Sequence, residues 1–153
     1  MNARQARGFT MVELVMVMVL IGVLAAIGVP KLMGDNSFAA ATFGDDVVSA
    51  LRTAQKTAVA RRRLVCATVG STAVTLRLAD APAATACSIA LGDSYATGAG
   101  GVTASAHTLY FQPNGLITSD TAGRNTVRGS VVISLDGNVR RSIVFEGSTG
   151  YVQ

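Results

Sequence analysis

The chain has 153 residues, of which 50% are hydrophobic and 14% are charged, and its formal net charge is +4. The low charged fraction excludes disorder driven by charge repulsion. So small a net charge does not by itself indicate a nucleic-acid partner. The length allows one domain with a modest core in addition to an N-terminal apolar segment.

An apolar run extends from Met11 to Val29, and Glu13 is its single charged residue. As a helix the run would be about 28 Å long, which is close to the thickness of membrane hydrocarbon. No polar stripe interrupts the run, which disfavours a buried helix of a soluble domain. A cleaved secretory signal is the alternative that Ala25-Ala26 leaves open, although such signals are usually shorter. We predict a helix that crosses a membrane once.

The residues before this run resemble a known signal. The motif Gly8-Phe9-Thr10-x-Val12-Glu13 follows a short leader with Arg4 and Arg7, and the apolar run closes at Pro30. This pattern resembles the class III signal of type IV prepilins and type II secretion pseudopilins. The resemblance implies cleavage between Gly8 and Phe9 by a prepilin peptidase, N-methylation of Phe9 by the same class of enzyme, and retention of the helix for assembly with other pilins.

The resemblance also implies a domain organisation and a location. Residues 1–8 would be the cleaved leader, 9–30 the transmembrane and assembly helix, and 31–153 a periplasmic pilin-like domain. Basic residues in the leader favour a cytoplasmic N-terminus by the positive-inside bias. The protein is therefore expected to cross the inner membrane once, in contact with its lipid, and to enter a filament after assembly.

Glu13 needs a partner, because an unpaired carboxylate in hydrocarbon costs roughly 2.5 to 3.5 kcal/mol on insertion scales. Cleavage would create an amino group at Phe9. In the family, as the resemblance implies, the Glu13 of one subunit would meet the Phe9 ammonium of its neighbour during assembly. The alternative is that Glu13 lies near the membrane interface and stabilises the N-terminus of its own helix.

Cys66 and Cys87 are the only two cysteines in the sequence. In a compartment outside the cytoplasm, such a pair is expected to form a disulfide. A zinc site would need further ligands, and His107 is the only histidine. We therefore predict a Cys66–Cys87 disulfide and no metal site.

A second helix is predicted to end near residue 63. Its apolar residues recur at spacings of three and four on one face, namely Phe43, Val47, Leu51, Ala54 and Ala58. Ser37 is a candidate cap for this helix, unless the first helix continues through with a bend. Arg61-Arg62-Arg63 would compensate the dipole of the last turn, and a partner or anionic surface is the alternative role.

Residues 64–153 are predicted to be rich in β-structure. Strands are expected at 64–69, 73–78, 108–111, 131–135 and 139–145, with tight turns at 70–72, 112–115 and 136–137. A loop from Ala79 to Ala86 would bring Cys87 back to the first strand. The segment from Ser94 to Ala106 is rich in Gly, Ala, Ser and Thr, and is predicted to be a mobile surface loop. The order of elements predicts an α+β pilin fold with the helix on an antiparallel sheet.

A finer resemblance extends into this domain. Several segments are similar to minor pilins of the group that includes pseudopilin H and the FimT-type pilins. They are Leu51 to Lys56, the arginines at 61–63, Phe111-x-Pro113-x-Gly115 and the strand pair from 131 to 150. Within that group, residues 54–60 with Cys66 and Cys87 are most similar to minor pilins of mannose-sensitive haemagglutinin pili.

The expected function is structural. No GxSxG motif or phosphate-binding loop is present, so neither an enzyme nor a cofactor is predicted. We expect a minor pilin or pseudopilin that primes or caps a filament of a type IV pilus. Minor pseudopilin H of type II secretion is the alternative within the same class.

DNA uptake is the alternative of another class. In FimT-type pilins that bind DNA, basic residues lie near a C-terminal Gly-Arg-x-Arg stretch. The matching end here is residues 150–153, Gly-Tyr-Val-Gln, which has neither arginine. A stripe could still form from Arg124, Arg128, Arg140 and Arg141, but neighbours along a strand point to opposite faces. A nucleic-acid partner is therefore disfavoured.

Overall fold

A computed structural model describes residues 9–33 and 36–153. The chain divides between residues 35 and 36 into two units, each with its own internal contacts. The first contains helix α1, Met11–Met33, whose backbone remains helical through Pro30. The run of apolar residues thus forms one continuous helix.

The second unit begins with helix α2, Ser37–Arg61, and its N-cap is Asn36. Ser37 is therefore the first helical residue, which corrects its assignment as the cap. Gly34 and Asp35, where a bend was considered, lie outside the described residues. The predicted helix end near 63 is also two residues too far. Arg62 ends α2 in a left-handed conformation (φ 51°), and the Arg63 N–H donates to the carbonyl of Ala58 at 3.2 Å.

The predicted apolar face of α2 is confirmed, because its five residues are all buried. Phe43, Val47 and Leu51 are fully enclosed, and complete burial of such side chains contributes about 1.5–3 kcal/mol each. Asp45 and Lys56 lie on the opposite, exposed side. The helix is therefore amphipathic with its apolar face toward the strands.

The strands that follow are all antiparallel, which confirms the α+β class. They are β1 Val65–Val69, β2 Ala73–Ala79, β3 Cys87–Ala90, β4 Tyr95–Ala96, β5 Val102–Ala104, β6 His107–Phe111, β7 Ile117–Thr118, β8 Arg128–Leu135, β9 Asn138–Glu146 and β10 Tyr151–Val152.

These strands form two sheets where a single sheet was expected. The first has the order β3-β2-β1-β6-β7, with β4 paired to the end of β2, and the second has the order β10-β9-β8-β5. Helix α2 contacts strands of both sheets. The core therefore lies between α2 and the inner faces of the sheets, with Phe111, Ile133 and Phe145 among its largest buried side chains.

The turns between predicted strand pairs are also confirmed. Residues 70–72 join β1 to β2, and Asp136 and Gly137 join β8 to β9. Both residues of the second turn have positive φ, 51° and 77°, as the tight turn of a hairpin with matching twist requires. Gly115, with φ 89°, closes the turn before β7 by donating its N–H to the Gln112 carbonyl at 2.9 Å.

The prediction of a surface loop from Ser94 to Ala106 is wrong. Strand β4 lies within this segment, and β5 pairs with β8 through Val102–Leu135 and Ala104–Ile133. Val102 and Ala104 are buried, with exposed fractions of 1% and 8%. Glycine-rich composition suggested little burial, but β8 offers an open edge and the alternation of the strand turns these two side chains inward.

Candidate functional site

The N-terminal end of α1 is defined by Thr10. Its hydroxyl Oγ1 accepts a hydrogen bond from the Glu13 N–H at 3.2 Å, and its carbonyl accepts one from the Leu14 N–H at 3.1 Å. Thr10 is thus the N-cap, and Glu13 occupies the third helical position. The partial positive charge of the helix N-terminus stabilises a carboxylate in this first turn.

The surface of α1 is apolar on every side. From Met11 to Gly28 the mean hydropathy is 2.6, and no residue of this window is buried inside the described structure. The large apolar side chains from Met11 to Ile27 are between 45% and 82% exposed. Soluble proteins rarely leave so large an apolar surface in water. By length and composition, this helix is suited to cross a membrane.

The other residues of the predicted signal are only partly within the described chain. Phe9 precedes α1 and is 76% exposed. Gly8 and the basic residues Arg4 and Arg7 lie outside the described residues. Cleavage between Gly8 and Phe9 therefore stays a prediction. Thr10 was missed as a functional residue, although the spacing Thr10-x-x-Glu13 before an apolar run is the signature of a capping box.

Comparison with known families gives a match on this segment. Residues 3–29 match the family model described as the prokaryotic N-terminal methylation motif. The chain carries the class III signal of type IV pilins. This motif implies processing by a prepilin peptidase and assembly with other pilins, and with α1 it supports a pilin-like or pseudopilin protein anchored through its N-terminus. Neither curated proteins nor solved structures give a match to the chain.

The two cysteines are joined in the structure. Cys66 on β1 and Cys87 at the start of β3 form a disulfide with a Cα–Cα distance of 6.1 Å. Arg77 on the intervening strand β2 donates to the carbonyls of Cys87 and Ser88 at 3.1 and 2.6 Å. The disulfide and these hydrogen bonds together fix the return of the chain after the loop from Ala79 to Ala86.

Two titratable residues outside α1, His107 and Asp120, make contacts within the fold. Within the described residues, no group of three or more His, Cys, Asp and Glu side chains could hold a metal. His107 packs edge-to-face on Phe145, with ring centroids 5.6 Å apart. The carboxylate of Asp120 accepts hydrogen bonds from the N–H groups of Arg124 and Asn125 at 3.1 and 2.8 Å, which holds the pKa of Asp120 below its usual value of 3.8. It organises the loop before β8.

The arginines of the candidate basic stripe do not act as a set. Arg128 pairs with Glu146 at 2.7 Å, and Arg141 pairs with Asp45 of α2 at 2.5 Å. Arg141 faces the helix while Arg140 is exposed, which confirms that these neighbours point in opposite directions. Two of the four positive charges are therefore compensated within the domain.

Proposed function

We propose that this protein is a minor pilin or pseudopilin, a structural subunit that primes or caps a filament of a type IV pilus or a type II secretion pseudopilus. The leader would be removed between Gly8 and Phe9, and Phe9 would be N-methylated. Residues 9–30 would then anchor the chain in the inner membrane and bundle with other pilins, with residues 31–153 in the periplasm.

The observation that carries this proposal is the helix α1 with its lone carboxylate. The hydroxyl and the carbonyl of Thr10 accept hydrogen bonds from backbone N–H groups. Within residues 9–33, the Glu13 carboxylate has no ion-pair partner. The helix needs an apolar covering, and Glu13 needs a cation. A bundle of identical or related helices supplies both, because a neighbour brings apolar side chains and an N-terminal ammonium.

The test compares Glu13→Ala with a matched carboxylate variant, Asp93→Ala, in an exposed turn. Both full-length chains are expressed in cells with the filament machinery. Both are expected to enter the membrane and to lose the leader. Filaments should contain at least about tenfold less of Glu13→Ala than of the parent chain. The variant leaves the Phe9 ammonium of a neighbouring subunit without its carboxylate partner in hydrocarbon. Asp93→Ala should be incorporated normally.

Mass analysis of the filament-associated chain tests the processing step. The mature chain should begin at Phe9 and carry one additional methyl group. Normal incorporation of Glu13→Ala would reject the pairing of Glu13. A mature chain that is freely soluble and begins well beyond Phe9 would reject the whole proposal.

A DNA-uptake role has less support than the structural role. Arg128 and Arg141 are paired to Glu146 and Asp45, so they offer a polyanion less net attraction than their number suggests. A gel shift of the chain across salt concentrations separates the two roles. Saturable retention that persists at moderate salt would favour DNA binding.

A further inference from the structure

A groove runs along the domain of residues 36–153, between α2 and the strands β9 and β10. It consists of two adjoining hollows of ≈ 750 and ≈ 410 Å³, and both are lined by Arg52 and Lys56. Val144 and Tyr151 line the larger hollow and are 46% and 53% exposed. The groove thus combines an apolar floor with a cationic wall.

Two carboxylates line the groove, and each already has a cation. Glu146 pairs with Arg128 in the larger hollow, at 2.7 Å between Oε2 and Nε. Asp45 pairs with Arg141 in the smaller hollow, at 2.5 Å between Oδ1 and Nη1. Within residues 36–153, these two pairs leave the positive charges of the α2 wall without an ion-pair partner.

Arg52 and Lys56 carry that excess charge. They are four residues apart and therefore share one face of α2. Arg52 donates from Nε and Nη2 to the Val152 carbonyl at 3.2 and 3.0 Å, which orients its guanidinium beside the groove. Among the described residues of this domain, its Nη1 donates to no acceptor. Within residues 36–153, Lys56 has no ion-pair partner. The wall therefore presents two adjacent cations, and the Val152 carbonyl holds the Arg52 guanidinium in position.

We propose that this groove binds an acidic, extended peptide segment of a neighbouring filament subunit. A carboxylate at one position of the segment pairs with Lys56 and the free Nη1 of Arg52. An apolar side chain two residues further lies on the same side of the extended segment and covers Val144 and Tyr151. The identity of the partner as a filament subunit rests on the proposed function above.

Charge and floor composition favour a peptide over a nucleic acid. A nucleic-acid backbone carries one negative charge per nucleotide, but within residues 36–153 only Arg52 and Lys56 offer the groove positive charge without a carboxylate partner, because Glu146 and Asp45 neutralise Arg128 and Arg141. A peptide with a single acid and an apolar residue two positions further matches both the pair of cations and the apolar floor. Its apolar side chain also covers the exposed surface of Val144, whereas a phosphate has no apolar surface with which to do so.

The binding test uses the full-length chain in detergent micelles and a fluorescent ten-residue peptide of Ser that contains one Asp and, two positions further, one Leu. Lys56→Gln should weaken binding about threefold, and Lys56→Glu about tenfold, because reversal adds repulsion to the loss of an exposed ion pair. The matched control is Arg140→Glu, which changes the net charge equally at an exposed position outside the groove. It should change binding by less than about twofold.

Several outcomes would overturn the proposal. They are an absence of peptide binding, equal binding of a peptide with Asn in place of Asp, and an equal loss in Arg140→Glu. Displacement of the peptide by a ten-nucleotide oligothymidylate at lower concentration would overturn it in favour of nucleic acid. Unchanged thermal melting of the Lys56 variants verifies that they fold.

The two proposals fail separately. Peptide binding needs no filament, so a Glu13→Ala chain that assembles normally and still binds the peptide supports the groove and overturns the filament role of Glu13. A Glu13→Ala chain that is excluded from filaments, with no peptide binding in the parent chain, overturns the groove alone.

Discussion

Removal of the disulfide should destabilise the domain formed by residues 36–153, and the length of the loop that the disulfide closes sets the size of the effect. Cys66 and Cys87 are separated by 21 residues. In the loop-closure model, opening a loop of this size raises the entropy of the unfolded chain and lowers the free energy of unfolding by about 3 kcal/mol. Both residues are half-buried, so a serine hydroxyl at either position can reach water. The predicted loss is therefore mainly an effect on the unfolded state.

The assay is guanidinium unfolding of the full chain in detergent, followed by tyrosine fluorescence. Tyr95, Tyr110 and Tyr151 are the only tyrosines, so the signal reports on residues 36–153. The double variant with serine for Cys66 and Cys87 should lower the midpoint by about 1 M, given a slope of about 3 kcal/mol per M for a domain of this size.

Matched controls distinguish loop closure from a packing effect. Each single serine variant and the reduced wild-type chain should lose the same free energy as the double variant, since any of these changes opens the same loop. A loss below about 1 kcal/mol, or single variants that differ strongly from each other, would refute the reasoning.

Two further predictions concern the loops and the close contacts of the domain. Because hydrogen bonds depress the pKa of Asp120 in the folded state, its carboxylate stabilises the fold above the unfolded pKa, and this contribution is lost as pH falls through the folded pKa. Urea midpoints of wild type and Asp120→Asn should therefore differ at neutral pH and converge in acid, and a constant difference would count against this account. Gly147→Ala should cost about 3 kcal/mol, since its Cβ would lie 2.3 Å from the Ile117 carbonyl oxygen. The control Gly98→Ala meets no atom within 4 Å and should change thermal stability little, so similar melting of the two variants would contradict the prediction.

Features set by neighbours along the chain could be predicted from the sequence. The apolar run before Pro30 predicts α1, and the recurrence of Phe43, Val47 and Leu51 predicts the buried face of α2, because helical periodicity depends only on residues three and four positions apart. The Asp136-Gly137 turn is equally local, since its two positive φ angles favour these residue types. The class III signal belongs to the same group, because its motif is contiguous.

Features set by residues far apart in the chain needed the tertiary structure. Composition alone placed Val102 and Ala104 in a loop, whereas their burial depends on the edge of β8, about thirty residues later. Similarly, the pairing of strands decides their division into two sheets. The alternation of apolar and polar residues within one strand does not specify the strand with which it pairs.

The two candidate sites differ in the same way. Phe9, Thr10 and Glu13 lie within five consecutive positions, so the sequence by itself determined the signal, the anchor and its lone acid. The groove exists only because β10 returns to α2, where Val152 meets Arg52 a hundred residues away. Local chemistry decides the N-terminal signal and its apolar helix, and non-local pairing decides which surface residues 36–153 present, because charges and apolar patches form a site only when the fold brings them together.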